Sequence, residues 1–300
     1  MKRLSILLIT VALIAGMAGC SLFPSRSLEI RTWYDLDAVR KNLSGHYILM
    51  NDLNSTTAGY EELASPTANE GKGWHPIIGA GGNPPFTGTF DGQGYEIRDL
   101  FIYLPGIGGV GLFSIVGEGG RIEHIGVVNA NVNSTAYIGS LVGYNQGTVS
   151  NSYSTGNVIG IGIVGNLVGY NQGTVSNSYS TGNVTCDDIV GGLAGGNSGT
   201  VINSYATGSV TGKEGAGGLL GTNNGTVSNS FWDIETSGQA TSSGGTGKNT
   251  TEMQDIATFS GATWNIITVA NPDIRNLAYI WNIVDNETYP FLSWQPACYG

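Results

Sequence analysis

The chain has 300 residues, of which 48 are Gly, while 40% are hydrophobic and only 11% are charged. Ordinary globular domains hold about 7% Gly and about 25% charged residues, so a helix-rich enzyme is a poor match and a turn-rich, extended fold is indicated. The net charge of −10 argues against a nucleic-acid partner, which asks for a basic face.

Lys2 and Arg3 precede a short apolar run that ends at Met17, followed by Ala18, Gly19 and Cys20, the order of an export signal. Met17-Ala18-Gly19-Cys20 resembles the lipobox of bacterial lipoproteins, with Met17 where Leu is usual. The resemblance implies that residues 1–19 are a signal peptide, that Cys20 carries a thioether-linked diacylglycerol, and that the new amino terminus is acylated. Two or three acyl chains anchor firmly where one does so only marginally. Loss of Lys2 and Arg3 takes the net charge from −10 to −12. Residues 20–29 then form a linker, the membrane is a partner through the lipid on Cys20, and the rest of the chain lies in the envelope outside the cytoplasm, at the cell surface. Besides Cys20 the cysteines are Cys186 and Cys298; a disulfide between them is left open.

Residues 30–96 read as a small α/β cap with the first strands. Thr32 is placed to cap a helix, with Asp35 three residues on, and Leu36, Val39 and Leu43 form its apolar face before Ser44-Gly45 ends it. His46 to Leu53 reads as a strand, and Trp74, Phe86 and Phe90 fall between Gly and Pro turns.

The centre of the chain, residues 97–231, is governed by a repeat. Ile138, Val164, Val190 and Ala216 open the phrases IGSLVGYNQGTVSNSYSTGNV, VGNLVGYNQGTVSNSYSTGNV, VGGLAGGNSGTVINSYATGSV and AGGLLGTNNGTVSNSFWD, each 26 residues after the last. Frequent Gly together with β-branched Val, Ile and Thr excludes helix and fits three short strands per unit. A unit of that size cannot bury enough apolar surface alone, so units must stack as rungs of a parallel β-helix. Two degenerate rungs are expected before them, with Ile97 to Ile102 and Ile122 to Val127 aligned under Val149 to Ser154. Their apolar places, first, fourth and sixth, break strict strand alternation and require a bend at the second and third. Asn151, Asn177, Asn203 and Asn229 then occupy that bend in left-handed backbone, and Asp99 and His124 extend their column. The fifth place points outward and carries Phe101, Gly126, Tyr153, Tyr179, Tyr205 and Phe231. Tyr153, Tyr179, Tyr205 and Phe231 are the candidate ligand-binding face, with a glycan or a surface protein as partner.

The phrase GGLxGxNxGTVxNSYATGxV resembles the GLUG motif of bacterial surface proteins, some related to large IgA-cleaving metallopeptidases. The resemblance implies a right-handed β-helix used for adhesion, display or extension, and no catalytic role for the motif. Residues 232–300 read as a C-terminal cap: a flexible link at Gly244 to Lys248, a short helix from Thr251 to Phe259, terminal strands from Ile280 to Trp294, and four of the six Trp as capping core.

Chemistry is sparse. Asp187, Asp188, Lys213 and Glu214 read as exposed loop charges, with Lys213 over Asp187; a weak calcium site there is the minor alternative. Arg98, Asp99, Arg121, Glu123 and His124 form a denser group, read as cross-rung ion pairs with Arg98 near Glu123 and Asp99 near His124. His46, His75 and His124 have no close His or Cys partner and no HExxH occurs, which excludes a zinc peptidase. The expectation is an all-β, right-handed parallel β-helix of six or seven rungs, non-catalytic, with no metal site and no cofactor, serving adhesion or recognition. A structural spacer is the first alternative, and a polysaccharide lyase or hydrolase using Asp99 and Glu123 is the second.

Overall fold

A computed structural model describes residues 27–78 and 84–296. Cys20, Cys298 and the signal segment therefore lie outside the described residues. Three sheets wrap one core as a parallel β-helix. The first sheet stacks eight strands: Leu28–Ile30, His46–Leu49, Thr89–Asp91, Arg121–Glu123, Thr148–Ser150, Thr174–Ser176, Thr200–Ile202 and Thr226–Ser228. The second begins with Glu96–Arg98 and Phe101–Leu104. It continues through the 13-residue strands Gly126–Ile138 and Tyr153–Gly165, which later coils break into shorter pieces. The third holds five strands, from Phe113–Val116 to Leu220–Asn223. The coil thus closes on all three sides five times, and the first face extends further at the N-terminal end.

The 26-residue period is realised residue for residue. Val149 partners Val175 and Val175 partners Val201 on the first sheet. Tyr170 lies between Tyr144 and Gly196 on the third. Every strand pair among the repeats is parallel. Leu141, Leu167, Leu193 and Leu219 form one buried apolar column, and Val132, Val158, Val184 and Val210 form another. Asn151, Asn177, Asn203 and Asn229 sit at the expected corner with φ of 47, 47, 48 and 48°, and His124 continues them at 51°.

The alignment of the earliest rung needs correction. Ile122 partners Phe90, whereas Ile97 partners Val127. Seven residues separate Phe90 from Ile97 where five separate Ile122 from Val127, because the turn through Gly92 and Gly94 adds to the bend. Asp99 therefore does not join the His124 column. It forms a second left-handed corner (φ 61°) with Asn129 (φ 55°), whose side-chain amide donates to Asp99 Oδ1 at 2.7 Å. Phe101 likewise leaves the fifth-place column and partners Asn131; Glu96 takes its place beneath Gly126.

Polar side chains inside the coil are satisfied by repetition. Asn145, Asn171, Asn197 and Asn223 form an amide chain in which each Nδ2 donates to the next Oδ1 at 2.7–2.8 Å. Asn145, Asn197 and Asn223 also accept the main-chain N–H two residues on. The N–H groups of Ser152, Ser178 and Ser204 donate to the hydroxyls of Ser178, Ser204 and Ser230, each at 3.2 Å.

At the N-terminal end the helix Trp33–Ala38 starts at Thr32 with a capping box closed by Asp35, as its sequence implies. Trp33, Trp74, Phe86, Phe90 and Phe113 are fully buried and close the coil with aromatic contacts of 5.1–5.7 Å. At the other end the expected flexible link is a strand, Thr246–Lys248, paired with Phe231–Asp233. Residues 241–243 cover the neighbouring edge, with Gly218 N–H bonded to Thr241 O and Ser243 N–H to Leu220 O. Gln239 Nε2 adds a bond to Val210 O at 2.9 Å on the same end. The helices Thr250–Met253 and Ile256–Ser260 and the small sheet of Ile266–Thr268, Trp281–Ile283 and Phe291–Leu292 run back along the side of the coil as an arm. Among the described residues no helix is long and apolar enough to cross a membrane.

The Asn171 amide is buried and bonded on both sides. Asn171→Ala removes both bonds, leaving Asn145 Nδ2 with long contacts of 3.3–3.4 Å to Thr174 O and Gly147 O and Asn197 Oδ1 with the Gly199 N–H, a loss of about 0.5–1.5 kcal/mol per bond. Urea unfolding should show a loss of roughly 1–3 kcal/mol, with the native circular dichroism spectrum retained below the transition.

Candidate functional site

The column proposed as a binding face turns outward from the coil, as its place in the repeat requires, but it is not free. Tyr153, Tyr179 and Tyr205 stack ring on ring at 5.0 and 4.9 Å with interplanar angles of 3 and 1°. The rings of all four residues are 1–6% exposed. They join a second apolar cluster with Met253, Phe259, Trp264, Ile266, Trp281, Ile283 and Leu292, separate from the coil core. The arm descends the column in order. Phe259 and Trp264 meet Phe231, and Trp281 meets Tyr205 and Tyr179. Trp294 meets Tyr153 and stands edge-on to His124. Its polar ties follow the same path, with Trp264 Nε1 donating to Asn229 O at 2.8 Å and Gln295 Nε2 to the Tyr179 hydroxyl at 2.6 Å. The exposed contact face expected at Tyr153, Tyr179, Tyr205 and Phe231 is thus corrected to a buried seam. The physical reason lies in the sequence: four aromatic residues in register make an apolar stripe, and the Trp-rich tail is what covers it.

Below Tyr153 the column changes character. At Gly126 an added Cβ would come within 2.6 Å of the Tyr153 ring, so this place admits no side chain while the ring leans over it. The Tyr153 hydroxyl reaches past it to donate to Glu96 Oε1. Glu96 is 3% exposed; burial pushes its carboxyl above the ordinary carboxylate range, opposed by the Tyr153 hydrogen bond and the adjoining Arg98 guanidinium.

The charged group of the early rungs pairs differently from expectation. Arg98 is bound to Glu96 rather than Glu123, and Arg121 takes Glu123 at 3.4 Å. His124 Nδ1 meets Asp91 Oδ1 at 3.3 Å, while Asp99 is held by Asn129 at another corner. Hydrogen bonding to Asp91 raises the His124 pKa against the opposing effect of burial. Asp91 is pushed up by burial, but hydrogen bonds from His124 and from Gln93 N–H more than offset this and leave its pKa lowered. A cleft of about 360 Å³ opens where the arm meets this corner, lined by His124, Asn151, Asn265, Tyr279, Ser293 and Trp294. On the opposite flank Lys213 bridges to Asp187 at 2.8 Å in an exposed pair, as the 26-residue spacing implies. Cys186 is buried with a free thiol.

A second aromatic cluster escaped the sequence reading. Tyr137, near the end of the second-sheet strand Gly126–Ile138, and Tyr144 and Tyr170 on the third sheet contact one another at 5.4, 5.5 and 5.7 Å and remain half-buried. Gln146 donates to Gln172 beside them, and the Tyr170 hydroxyl bonds Ser198 at 2.6 Å. The signal was present in the repeated GYNQG of the two most regular phrases.

These observations can be set beside known proteins. The family model described as the GLUG motif matches residues 134–159 and 189–211, each close to one full turn of the coil with strands from all three sheets. The chain thus carries GLUG repeats within its β-helix. Similar sequence occurs in halomucin of Haloquadratum walsbyi, 36% identical over 129 residues, which is 42% of this chain and 1% of that protein. It occurs also in a provisionally named Gly-rich membrane protein of Evansella cellulosilytica, 34% identical over 127 residues, 41% of this chain and 14% of that one. The chain therefore corresponds to a small part of either relative. A solved structure from Bacteroides ovatus, provisionally described as an immunoglobulin A1 protease, superposes with a TM-score of 0.60 at 18% identity, covering 89% of this chain and 92% of that one. That likeness is one of fold.

Tyr205 is the ring most enclosed by the arm, and its hydroxyl donates to Pro290 O at 2.5 Å. Tyr205→Ala should destabilise the protein by about 3–5 kcal/mol, the range for removing a buried aromatic. Limited proteolysis should then cut within residues 249–296 before the coil, since the coil's own core contains none of the lost contacts.

Proposed function

We propose that the protein is a non-catalytic element of the cell envelope, tethered by lipid on Cys20, that makes adhesive or recognition contacts through the open face of its β-helix. The observation that carries this reading is the half-buried cluster of Tyr137, Tyr144 and Tyr170 flanked by Gln146, Gln172 and Ser198. Tyr side chains join apolar area to a polar tip at low conformational cost, and amide and hydroxyl neighbours suit a glycan. The names of the two sequence relatives, a mucin and a membrane protein, agree with a place at the surface. A structural spacer is the second reading, favoured by the unbroken Asn ladder and the sealed ends. Against the glycan-cleaving alternative stands the placement of its two carboxylates, Asp99 at a corner held by Asn129 and Glu123 on a strand of the first sheet beside Arg121.

Glycan-array binding by the wild-type protein should fall about tenfold or more, a loss of roughly 1.4 kcal/mol, in Tyr137→Ala/Tyr144→Ala/Tyr170→Ala with unchanged melting. Equal binding by the variant would remove this face from the reading, and no binding by either would leave the spacer. For the tether, wild-type protein should incorporate labelled palmitate and enter the detergent phase on Triton X-114 partitioning. Cys20→Ala should do neither.

A further inference from the structure

The repeat supplies its own baseline, and one corner departs from it. Along the column of Asn151, Asn177, Asn203 and Asn229 the preceding coil has His124, and the residue before it is Glu123 where later coils have Ser150, Ser176, Ile202 and Ser228. Asp91 partners Glu123 in register on the adjoining parallel strand, so two carboxylates stand side by side on one face. Like charges placed directly opposite are destabilising, and a structural role for this position is met elsewhere by Asn alone. We propose that Asp91, Glu123 and His124 form a binding site for a divalent transition-metal ion of the Zn²⁺ type.

The geometry suits such an ion. One ligand atom from each residue lies within 4.8 Å of the others, and His124 Nδ1 is 3.3 Å from Asp91 Oδ1. Ligands about 2.0–2.2 Å from a tetrahedral centre are separated by roughly 3.3–3.5 Å, so this edge needs almost no adjustment. One imidazole with two carboxylates favours Zn²⁺ and its neighbours over Ca²⁺, which asks for six to eight oxygens. The side chains are 25–38% exposed, open to an ion yet partly desolvated. Arg121 holds Glu123 at 3.4 Å and is itself 52% exposed, free to turn into solvent when a metal replaces its charge.

Behind the ring the surroundings also fit. Asn151 Nδ2 lies 3.4 Å from His124 Nε2, while Asn151 Oδ1, like Asn203 Oδ1 higher in the same column, is buried without a partner. A metal on Nδ1 fixes the proton on Nε2, and an Asn151 amide turned over would accept it, which gives that oxygen its missing bond. Bound histidines commonly donate their second N–H to such an acceptor.

The test uses Zn²⁺ alone with the chelator-treated full chain, followed by titration calorimetry. His124→Asn is the informative variant, because it continues the Asn column in the same left-handed corner and should fold as well as the wild type. One Zn²⁺ per chain is expected to bind, with affinity lowered about tenfold or more by His124→Asn and by Asp91→Asn, and unchanged by Cys20→Ser or Cys186→Ser. Zn²⁺ binding that both ligand variants retain, or no uptake at millimolar Zn²⁺, would overturn the assignment; equal melting temperatures establish that the variants are folded.

Discussion

Main-chain hydrogen bonding between successive coils is the constraint on which the structure rests. Each coil offers its neighbour a strand edge on all three faces, and a parallel edge is satisfied only by another strand in register. A fixed 26-residue step meets that demand on all faces at once, so any insertion inside a coil would disturb three sheets together. Where the step varies in the early coils it is absorbed locally, at the corner turn through Gly92 and Gly94 and at a bulge between Ser154 and Gly156 within the pairing of the two 13-residue strands.

In-register stacking makes every side chain the neighbour of its own kind. For apolar residues this builds columns without further specification. For polar residues it is demanding, since a buried amide must find both a donor and an acceptor. Asn meets the demand because one end of its amide complements the other, so Asn145, Asn171, Asn197 and Asn223 satisfy one another along the axis. Ser178, Ser204 and Ser230 use the hydroxyl as an acceptor for the N–H of the coil before. The corner Asn residues use a different property of the same side chain, tolerance of left-handed backbone.

What could be read from sequence follows from this logic. The period, the three strands, the left-handed Asn corner and the outward turn of Tyr153, Tyr179, Tyr205 and Phe231 are local consequences of the repeat. The early coils were harder, because without the Asn and Gly markers Ile97 and Ile122 look equivalent, and only the pairing of Ile122 with Phe90 shows otherwise. The fate of the tyrosine column was beyond local reasoning. It depends on residues 249–296 folding back beside coils as far as 294 − 124 = 170 positions away, and periodicity carries no information about such a contact. The Trp content of the tail reads as capping core; that Trp264, Trp281 and Trp294 cover the flank of the coil instead of its end shows only in the three-dimensional arrangement. The corner at His124 shows the reverse case, where a departure from the consensus was visible but its partner Asp91 was hidden by the misplaced register.

The arm has a bearing on how such a chain can change over generations. Two adjoining units are nearly the same in sequence, the usual raw material for duplication or loss of a repeat by slippage in the gene. Each added coil lengthens the column by about 4.8 Å, but Trp264, Trp281 and Trp294 are spaced to span a seam of set height. A longer coil would leave one aromatic ring bare, and a shorter one would leave a tryptophan without its seat. The tail thereby acts as a gauge of coil number, penalising copies whose repeat count has drifted.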